Sequence, residues 1–225
     1  MIGLAVVIAL FTICFLLVRF LDRADHVDWG SVWLNRVDAL IRVVCRHVHG
    51  LQGHTIALPA QGAALVVSNH ISGLDPFLLI AASRRPLRFL IAREEYERFG
   101  LRWMFKGAGC IPVDRAGGPE FAYREALRAL AAGEVIALFP HGRIHVHQQD
   151  GESPPRLKGG VIRLAQKSKA PIFPVVIAGV TGQGHIVRSI VLPSRVSMTL
   201  HESMVCGEQS FEDCLERVAR ILHSV

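Results

Sequence analysis

From residue 49 onward, short apolar runs alternate with segments of helical periodicity, and this alternation most constrains the fold. Such runs, bounded by turn residues, predict buried strands, and strands that alternate with helices predict an α/β domain. We therefore expect a mixed, mostly parallel sheet flanked by helices. The apolar runs and predicted strands cover residues 63–67, 87–92, 135–139, 172–177 and 196–200, and the predicted helices cover residues 76–82, 121–132, 160–167 and 210–225.

The first 18 residues carry no charged side chain and are followed directly by Arg19 and Arg23. Their number is marginal for a bilayer span, which needs about 20 apolar residues. A secretory signal peptide would have a basic residue before the apolar stretch and a small-residue cleavage site after it, and both are missing. We expect a membrane anchor that spans the bilayer or lies in one leaflet, with the arginines on the cytoplasmic side. A buried core helix is the alternative.

Residues 27–51 predict a second helix, whose apolar stripe comprises Trp29, Trp33, Val37, Leu40 and Val44. Arginines occupy the other faces of this helix. It can lie at the membrane interface with its tryptophans at headgroup level, or it can be an ordinary helix that packs on the globular domain. The sequence thus divides into N-terminal membrane-anchoring helices over residues 1–48 and an α/β domain over residues 49–225.

The net charge of +6 agrees with attraction either to the anionic headgroups of a phospholipid surface or to nucleic acid. The chain has no recognisable nucleic-acid motif and no basic run, so we expect no nucleic-acid partner. Its five cysteines are odd in number and lack C-x-x-C spacing. They indicate neither a disulfide framework nor a zinc knuckle, and a reducing compartment fits best.

The stretch SNHISGLDPF, residues 68–77, follows the first predicted strand and contains His70 and Asp75. Gly73 and Pro76 argue against a continuous helix here, so the loop can fold back and bring the carboxylate to the imidazole. A carboxylate in that place fixes the tautomer, supports the imidazolium form and leaves the other ring nitrogen free to take a proton. This is the arrangement of a general base that acts on an alcohol. Two loop residues making local hydrogen bonds are the alternative.

Three further blocks follow this N-H-x4-D sequence in order: GCIPVDR at residues 109–115, LFPHG at 138–142 and IFPVVI at 172–177. The ordered set resembles the glycerophospholipid acyltransferase family, in particular the bacterial 1-acyl-sn-glycerol-3-phosphate (lysophosphatidic acid) acyltransferases. The resemblance covers roughly residues 50–180. It implies an O-acyltransferase of phospholipid biosynthesis, bound to the cytoplasmic face of a membrane.

The resemblance also implies a mechanism for the first block. His70 would remove the proton from the free hydroxyl of a lysophospholipid acceptor, and Asp75 would orient and charge-support His70. The hydroxyl would then attack the thioester of an acyl-CoA or an acyl carrier protein. This chemistry requires no covalent acyl-enzyme and no cofactor.

Three residues outside the His70–Asp75 pair become substrate-binding candidates through the same resemblance. Arg115 matches the arginine of the second block, and a guanidinium can bind phosphate oxygens through two hydrogen bonds. A surface salt bridge from Arg115 to Asp114 or Glu120 is the alternative. Asn69 either positions the His70 loop or forms an ordinary Asx turn, and Lys158 resembles the family's lysine after the third block.

The third block departs from the family pattern. Where the family usually reads F-P-E-G-T-R-S, residues 139–145 read F-P-H-G-R-I-H. His141 replaces the glutamate, and Arg143 lies one residue before the usual arginine. Pro140 and Gly142 preserve the turn, so we count all four residues as candidates for acceptor binding. The departures leave a second acceptor class open, another lysolipid such as a lyso-aminolipid.

Two rival functions remain. His141, His145 and His147 form H-x3-H-x-H, and three imidazoles can hold zinc with an open position for water, as in a metal-dependent hydrolase. Their spacing suits no single regular element and no carboxylate lies between them, so we predict no metal site. A non-catalytic membrane-associated binding protein is the second rival, against which the intact His70 and Asp75 pair argues. No G-x-S-x-G or G-x-x-x-x-G-K sequence indicates a serine hydrolase or a nucleotide enzyme.

Overall fold

The fold is built on one mixed sheet. A computed structural model describes residues 2–145, 156–207 and 210–224. These residues form the strands β1 (Ala64–Ser68), β2 (Leu87–Ala92), β3 (Ile111–Val113), β4 (Val135–Leu138), β5 (Ile172–Ala178) and β6 (Ser197–Leu200). The strand order is β3-β2-β4-β1-β5-β6, in which β6 runs antiparallel to β5 and all other neighbours are parallel. The predicted mixed, mostly parallel sheet is confirmed.

Helices lie on both faces of this sheet. Within the described residues they are α1 (Ile2–Arg23), α2 (Val32–His47), α3 (Asp75–Ala82), α4 (Arg93–Tyr96), α5 (Arg102–Gly107), α6 (Glu120–Ala131), α7 (Gly160–Ser168), α8 (Ile186–Val191) and α9 (Phe211–Leu222). The core has two parts, one that includes residues of α2 and α3 and one that includes residues of α6, α7 and α9. Along β1, Val66 belongs to the first part, whereas Leu65 and Val67 belong to the second. The strand is therefore buried on both faces, as expected for a parallel strand between helix layers.

The parallel strands bring the sequence blocks to one edge of the sheet. Strand β1 ends directly before Asn69 and His70, and β4, its parallel neighbour, ends at Leu138, the first residue of the third block. The register pairs Val67 with Leu138, so both strands end at the same level. Strand β3 ends two residues before Arg115. Ligands of open α/β sheets bind at this carboxyl edge.

A buried arginine fastens α2 to the end of α3. The Nε atom of Arg42 lies 2.7 Å from Oδ2 of Asp38, and both side chains are almost fully buried. The guanidinium also donates to the carbonyl oxygens of Ile80, Ala81 and Ser83. Cations stabilise a helix at its carboxyl end, where the carbonyls lack partners. Helix α2 is thus joined to the helix that begins at Asp75, and the predicted domain division after residue 48 stays a prediction.

The buried face of α2 differs from the predicted stripe. Trp33 and Leu40 are exposed, whereas Leu34, Arg42 and Cys45 are buried. Arg42 lies outside the apolar stripe, as predicted, but on the buried face of the helix, where its guanidinium pairs inside the protein. Helix α2 therefore packs on the domain and still exposes a tryptophan.

Helix α1 exposes several large apolar side chains, among them Phe11, Phe15 and Phe20. Among the described residues, no helix is both long and apolar enough to cross a membrane. The membrane anchor stays a prediction.

Cys206 and Cys214 form a disulfide, with Cα atoms 6.0 Å apart. The sequence indicates no disulfide framework and does not predict this single pairing. The eight-residue separation carries no diagnostic spacing, and the two sulfurs meet because α9 folds back onto the segment after β6. Ser210 caps α9, since its Oγ accepts a hydrogen bond from the amide of Asp213 at 3.0 Å.

Candidate active site

His70 and Asp75 form a hydrogen-bonded pair at the carboxyl end of β1. Nδ1 of His70 lies 2.8 Å from Oδ2 of Asp75. The side chain of His70 is 18% exposed, whereas that of Asp75 is fully buried. Since the carboxylate accepts at Nδ1, the neutral ring carries its proton there and presents Nε2 as an acceptor.

The loop between the two residues holds the carboxylate in place. Oδ2 of Asp75 accepts hydrogen bonds from the amides of Ile71 at 2.7 Å and Ser72 at 2.9 Å, and Oδ1 accepts from Oγ of Ser72 at 2.5 Å. The predicted helix over residues 76–82 begins one residue earlier than the sequence indicates. The helix begins at Asp75, and Leu74 occupies the N-cap position without a side-chain cap bond. The carboxylate points back to the loop because its partners there include the imidazole.

Residues of the third block contact His70 from the other side. The ring of Phe139 stacks on the imidazole with the centroids 4.1 Å apart. The amide of His145 donates to the carbonyl oxygen of His70 at 2.7 Å. Burial, together with the positive charge of Arg143, lowers the pKa of His145. The third block therefore forms the wall against which the imidazole rests.

Asn69 joins the ends of two strands. Its side-chain amide donates to the carbonyl oxygen of Ile177 and accepts from the amide of the same residue, both at 2.8 Å. Asn69 is buried, and this paired contact ties the end of β1 to β5. The geometry fits a residue that positions the His70 loop, which is the structural alternative that the sequence left open.

Arg115 contacts the turn of the third block. Its Nη2 atom donates to the carbonyl oxygen of Gly142 at 2.5 Å. The neighbouring Asp114 has its own partners, because the amides of Gly117 and Ala116 donate to its carboxylate and lower its pKa. Asp114 also lies 3.6 Å from Arg93, so its ion pair within the described residues is not with Arg115.

Three cationic side chains meet around this turn. Gly142 has a φ of 75°, and a Cβ added there would lie 2.7 Å from Nζ of Lys158. Position 142 therefore requires glycine, because the backbone is left-handed there and because a Cβ would collide with the ammonium of Lys158. Arg143 is exposed and donates from Nε to Nε2 of His145 at 3.2 Å. Pro140 holds the following segment through its carbonyl oxygen, which accepts from the amide of Lys158 at 2.9 Å.

The ring of His141 lies against two other histidine rings, those of His145 and His223. It is buried, and its Nε2 lies 3.2 Å from Nε2 of His223, directly after α9. The rival three-histidine site, which the sequence argues against, also included His147, which lies outside the described residues. Among the residues that the structure describes, no group of three potential ligands could hold a metal ion.

A cavity of about 900 Å³ lies beside His70. His70, Arg115 and Arg143 line one part of the cavity, and mainly apolar side chains line the rest. The apolar lining comes from α2, α3, β2 and α5 and includes Leu34, Val37, Phe77, Ile80, Phe89, Met104 and Phe105. The sequence did not identify this lining, because α2 and α5 lie far from His70 along the chain.

Known proteins resemble this chain in sequence. A family model described as Acyltransferase matches residues 48–178. A probable 1-acyl-sn-glycerol-3-phosphate acyltransferase of Mycoplasma pneumoniae is 32% identical over 127 residues, which are 53% of this chain and 46% of that protein. A 1-acyl-sn-glycerol-3-phosphate acyltransferase of Bacillus subtilis is 22% identical over 147 residues, 65% of this chain and 71% of that protein. The chain thus spans about half the length of the Mycoplasma relative.

A solved structure resembles this chain in fold. The crystal structure of the 1-acyl-sn-glycerophosphate acyltransferase from Thermotoga maritima superposes with a TM-score of 0.64 at 22% sequence identity. The superposition covers 87% of this chain and 80% of the Thermotoga chain. At this identity the likeness shows a shared fold. The family match covers more than half of the residues and includes His70, Asp75 and Arg115, and the chain therefore belongs to the acyltransferase family.

Proposed function

We propose that this protein moves a fatty acyl group from an acyl-CoA or acyl-carrier-protein thioester to the free hydroxyl of a lysophospholipid. The acceptor we propose is 1-acyl-sn-glycerol-3-phosphate, the substrate named for the Mycoplasma and Bacillus relatives. One observation carries the proposal. The imidazole of His70, paired through Nδ1 with a buried carboxylate, lines a large apolar cavity that cationic side chains also line.

The proposed proton transfers run through one imidazole. With Nδ1 of His70 bonded to Asp75, Nε2 takes the proton of the acceptor hydroxyl as its oxygen attacks the thioester carbonyl carbon. The tetrahedral intermediate then collapses, the carbon–sulfur bond breaks, and the leaving thiolate takes the proton from the imidazolium. Asp75 stabilises that imidazolium without taking its proton. The ester and a free thiol form, and the base is regenerated without a cofactor.

The cations around Gly142 support an anionic acceptor headgroup. Arg115 reaches the turn from the segment after β3, Arg143 belongs to the turn itself, and Lys158 approaches from the segment before α7. A guanidinium can bind two phosphate oxygens at once, whereas an ammonium acts as a point charge. We propose that Arg115 provides the principal phosphate contact and that Lys158 and Arg143 add positive charge.

The apolar part of the cavity supports a fatty acyl substrate. Its volume of about 900 Å³ lies in the range of roughly 300–1,000 Å³ that is usual for ligand pockets. Apolar side chains from α2, α3 and α5 can bury a hydrocarbon chain there and remove it from water. The carbonyl end of the chain would then lie near His70.

We propose that α1 and α2 hold the protein on the cytoplasmic face of a membrane, where lysophospholipids reside. Phe11, Phe15 and Trp33 are exposed on these helices, and Arg19 and Arg36 stack their guanidinium groups on Phe15 and Trp33. Aromatic side chains with nearby cations suit the interface between headgroups and acyl chains. Flotation with anionic vesicles tests this proposal, and protein that stays with the soluble fraction would refute it.

A second acceptor class has one specific observation in its favour. His141 occupies the position of the family's usual glutamate and pairs with His223. This arrangement changes the polar groups behind the acceptor turn, and a lysolipid with another headgroup, such as a lyso-aminolipid, is the alternative acceptor.

A thioester-release assay on detergent-purified protein tests the proposed function. Acyl-CoA and acyl carrier protein are offered separately with a panel of lysolipids, and mass spectrometry identifies the product. We expect a diacyl product with lysophosphatidate, unaffected by a chelator. Acylation of a different lysolipid would identify that lysolipid, and not lysophosphatidate, as the acceptor. Chelator-sensitive release of free fatty acid would favour a metal-dependent hydrolase, and binding of lysolipid without turnover of either donor would favour a non-catalytic binding protein.

A further inference from the structure

The histidine that departs from the family pattern has a partner outside the matched region. His141 is buried, and its Nε2 atom lies 3.2 Å from Nε2 of His223. The family match ends at residue 178, whereas His223 directly follows α9. In such a contact one Nε2 donates its proton and the other accepts, so at least one of the rings must be uncharged.

The loop that carries His141 contacts both His70, the candidate base, and Arg115, the candidate phosphate-binding residue. Over residues 139–145, Phe139 stacks on His70, and the amide of His145 donates to the carbonyl oxygen of His70. The carbonyl oxygen of Gly142 accepts a hydrogen bond from Arg115. A displacement of this loop would therefore move the phosphate-binding candidates relative to the base.

Helix α9, which His223 directly follows, is anchored in the core. Cys214, Val218 and Leu222 are completely buried along one face of the helix. At its first residue, the ring of Phe211 lies so close to Gly159 that a Cβ there would clash with it. The last turn, and with it His223, is therefore held in place by the core on the α7 side of the sheet.

We propose that His223 is a positioning residue for acceptor recognition. Its contact with His141 holds the loop of residues 139–145 in the place where Arg115 and Arg143 receive the anionic headgroup. The proposal rests on the proposed function of this site. It also gives a role to the exchange of glutamate for histidine at position 141, because an imidazole can reach and pair with a second imidazole from α9.

Steady-state kinetics of three variants test the proposal with lysophosphatidate and acyl-CoA. His223→Ala removes the contact, and His223→Gln retains an amide that can donate or accept. Arg220→Ala is the matched control, because Arg220 lies in the last turn of α9, which His223 directly follows, but is exposed and pairs with Glu216. We expect His223→Ala to raise the acceptor KM about tenfold, with kcat and the donor KM changed by no more than about twofold. His223→Gln should recover most of the loss, and Arg220→Ala should match the parent.

Amide hydrogen exchange gives a second readout that does not need turnover. The amide of His145, bonded to the carbonyl oxygen of His70, should exchange about tenfold faster in His223→Ala than in the parent or in His223→Gln. Thermal unfolding of each variant separates this local change from a loss of the fold. The proposal would be overturned if the amide of His145 exchanged at the parental rate in His223→Ala. It would also be overturned if this variant changed kcat, the acceptor KM and the donor KM by the same factor. An inactive parent would refute the proposed function instead, and the exchange measurement would still decide the role of His223.

Discussion

The carboxylate of Asp75 is fully buried and lies 2.8 Å from Nδ1 of His70, whose ring is partly exposed to the cavity. Three further hydrogen bonds from Ile71 and Ser72 fix this carboxylate. The polar partners of Asp75 are thus all within the loop that joins β1 to α3. This geometry orients one ring nitrogen toward the protein and leaves the other for a substrate.

Replacing Asp75 by asparagine should lower kcat much more than it changes substrate binding. The amide keeps the size of the side chain but favours the wrong tautomer of His70 and removes the negative charge that stabilises the imidazolium. We expect kcat to fall about a thousandfold to ten-thousandfold, with acceptor KM changed by less than about threefold. Ser72→Ala is the graded comparison, since it removes one hydrogen bond to Oδ1 and leaves the His70 contact intact. Equal rates for Asp75→Asn and the parent would remove Asp75 from the mechanism.

Arg115 should contribute mainly to the binding of the acceptor. We expect Arg115→Ala to raise the acceptor KM about a hundredfold, because a charge-assisted hydrogen bond contributes roughly 1.5–3 kcal/mol. The acceptor KM of Arg115→Lys should lie between that of Arg115→Ala and that of the parent, since lysine retains the charge but lacks the planar guanidinium. Arg128→Ala on α6, an exposed arginine paired with Glu125, is the control and should leave both KM values unchanged. A rise confined to the donor KM would assign Arg115 to the thioester substrate.

Removing one partner of the buried ion pair between Arg42 and Asp38 should destabilise the protein strongly. Arg42→Met leaves the Asp38 carboxylate buried without its cation and removes three hydrogen bonds to the end of α3. We expect the free energy of unfolding to fall by about 3–5 kcal/mol, measured by urea denaturation. The double variant Arg42→Met with Asp38→Leu should lose clearly less, because it leaves no buried charge unpaired. A single variant as stable as the parent would contradict the inferred role of the pair.

Five of the six strands and the contact between His70 and Asp75 were predictable, because both depend on local sequence. Strand β1 is an uninterrupted apolar run, and Gly73 and Pro76 sit where the loop must end and the helix must begin. Strand β3 was missed because it has only three residues, and its pairing with β2 defines it more than its composition does. His70 and Asp75 were predicted to meet because only five positions separate them.

The supporting contacts were not predictable because they join distant parts of the chain. Asn69 binds the backbone of Ile177, and His141 binds His223, 82 positions later. Neither pair leaves a pattern in a single sequence, since each depends on which strand or helix lies next to the loop. The burial of Arg42 was not predictable, because three of its partners are backbone carbonyl groups of residues 80, 81 and 83, which carry no sequence signal.

Two buried thiols should resist alkylation in the native protein. Burial raises the pKa of Cys45 to about 12 and that of Cys110 to about 11. Because the thiolate is the reactive form, a raised pKa leaves almost none of it at pH 7.5, and reactivity should grow only as the pH rises toward these values. In a Cys14→Ser background, which removes the exposed thiol, mass spectrometry should find both cysteines unlabelled by N-ethylmaleimide until urea unfolds the protein. Native labelling of Cys110 would show that the cavity wall opens.

The most direct test of the account is acyl transfer by His70→Ala at saturating acyl-CoA and lysophosphatidate. We predict a fall in kcat of about a hundredfold to ten-thousandfold, since this is the range contributed by a general base. Thermal unfolding and the dissociation constant for lysophosphatidate should stay close to those of the parent, because the headgroup contacts we propose are made by the cations around Gly142 and not by His70. A folded His70→Ala protein that transfers the acyl group at the parental rate would contradict the central claim that His70 takes the proton from the acceptor.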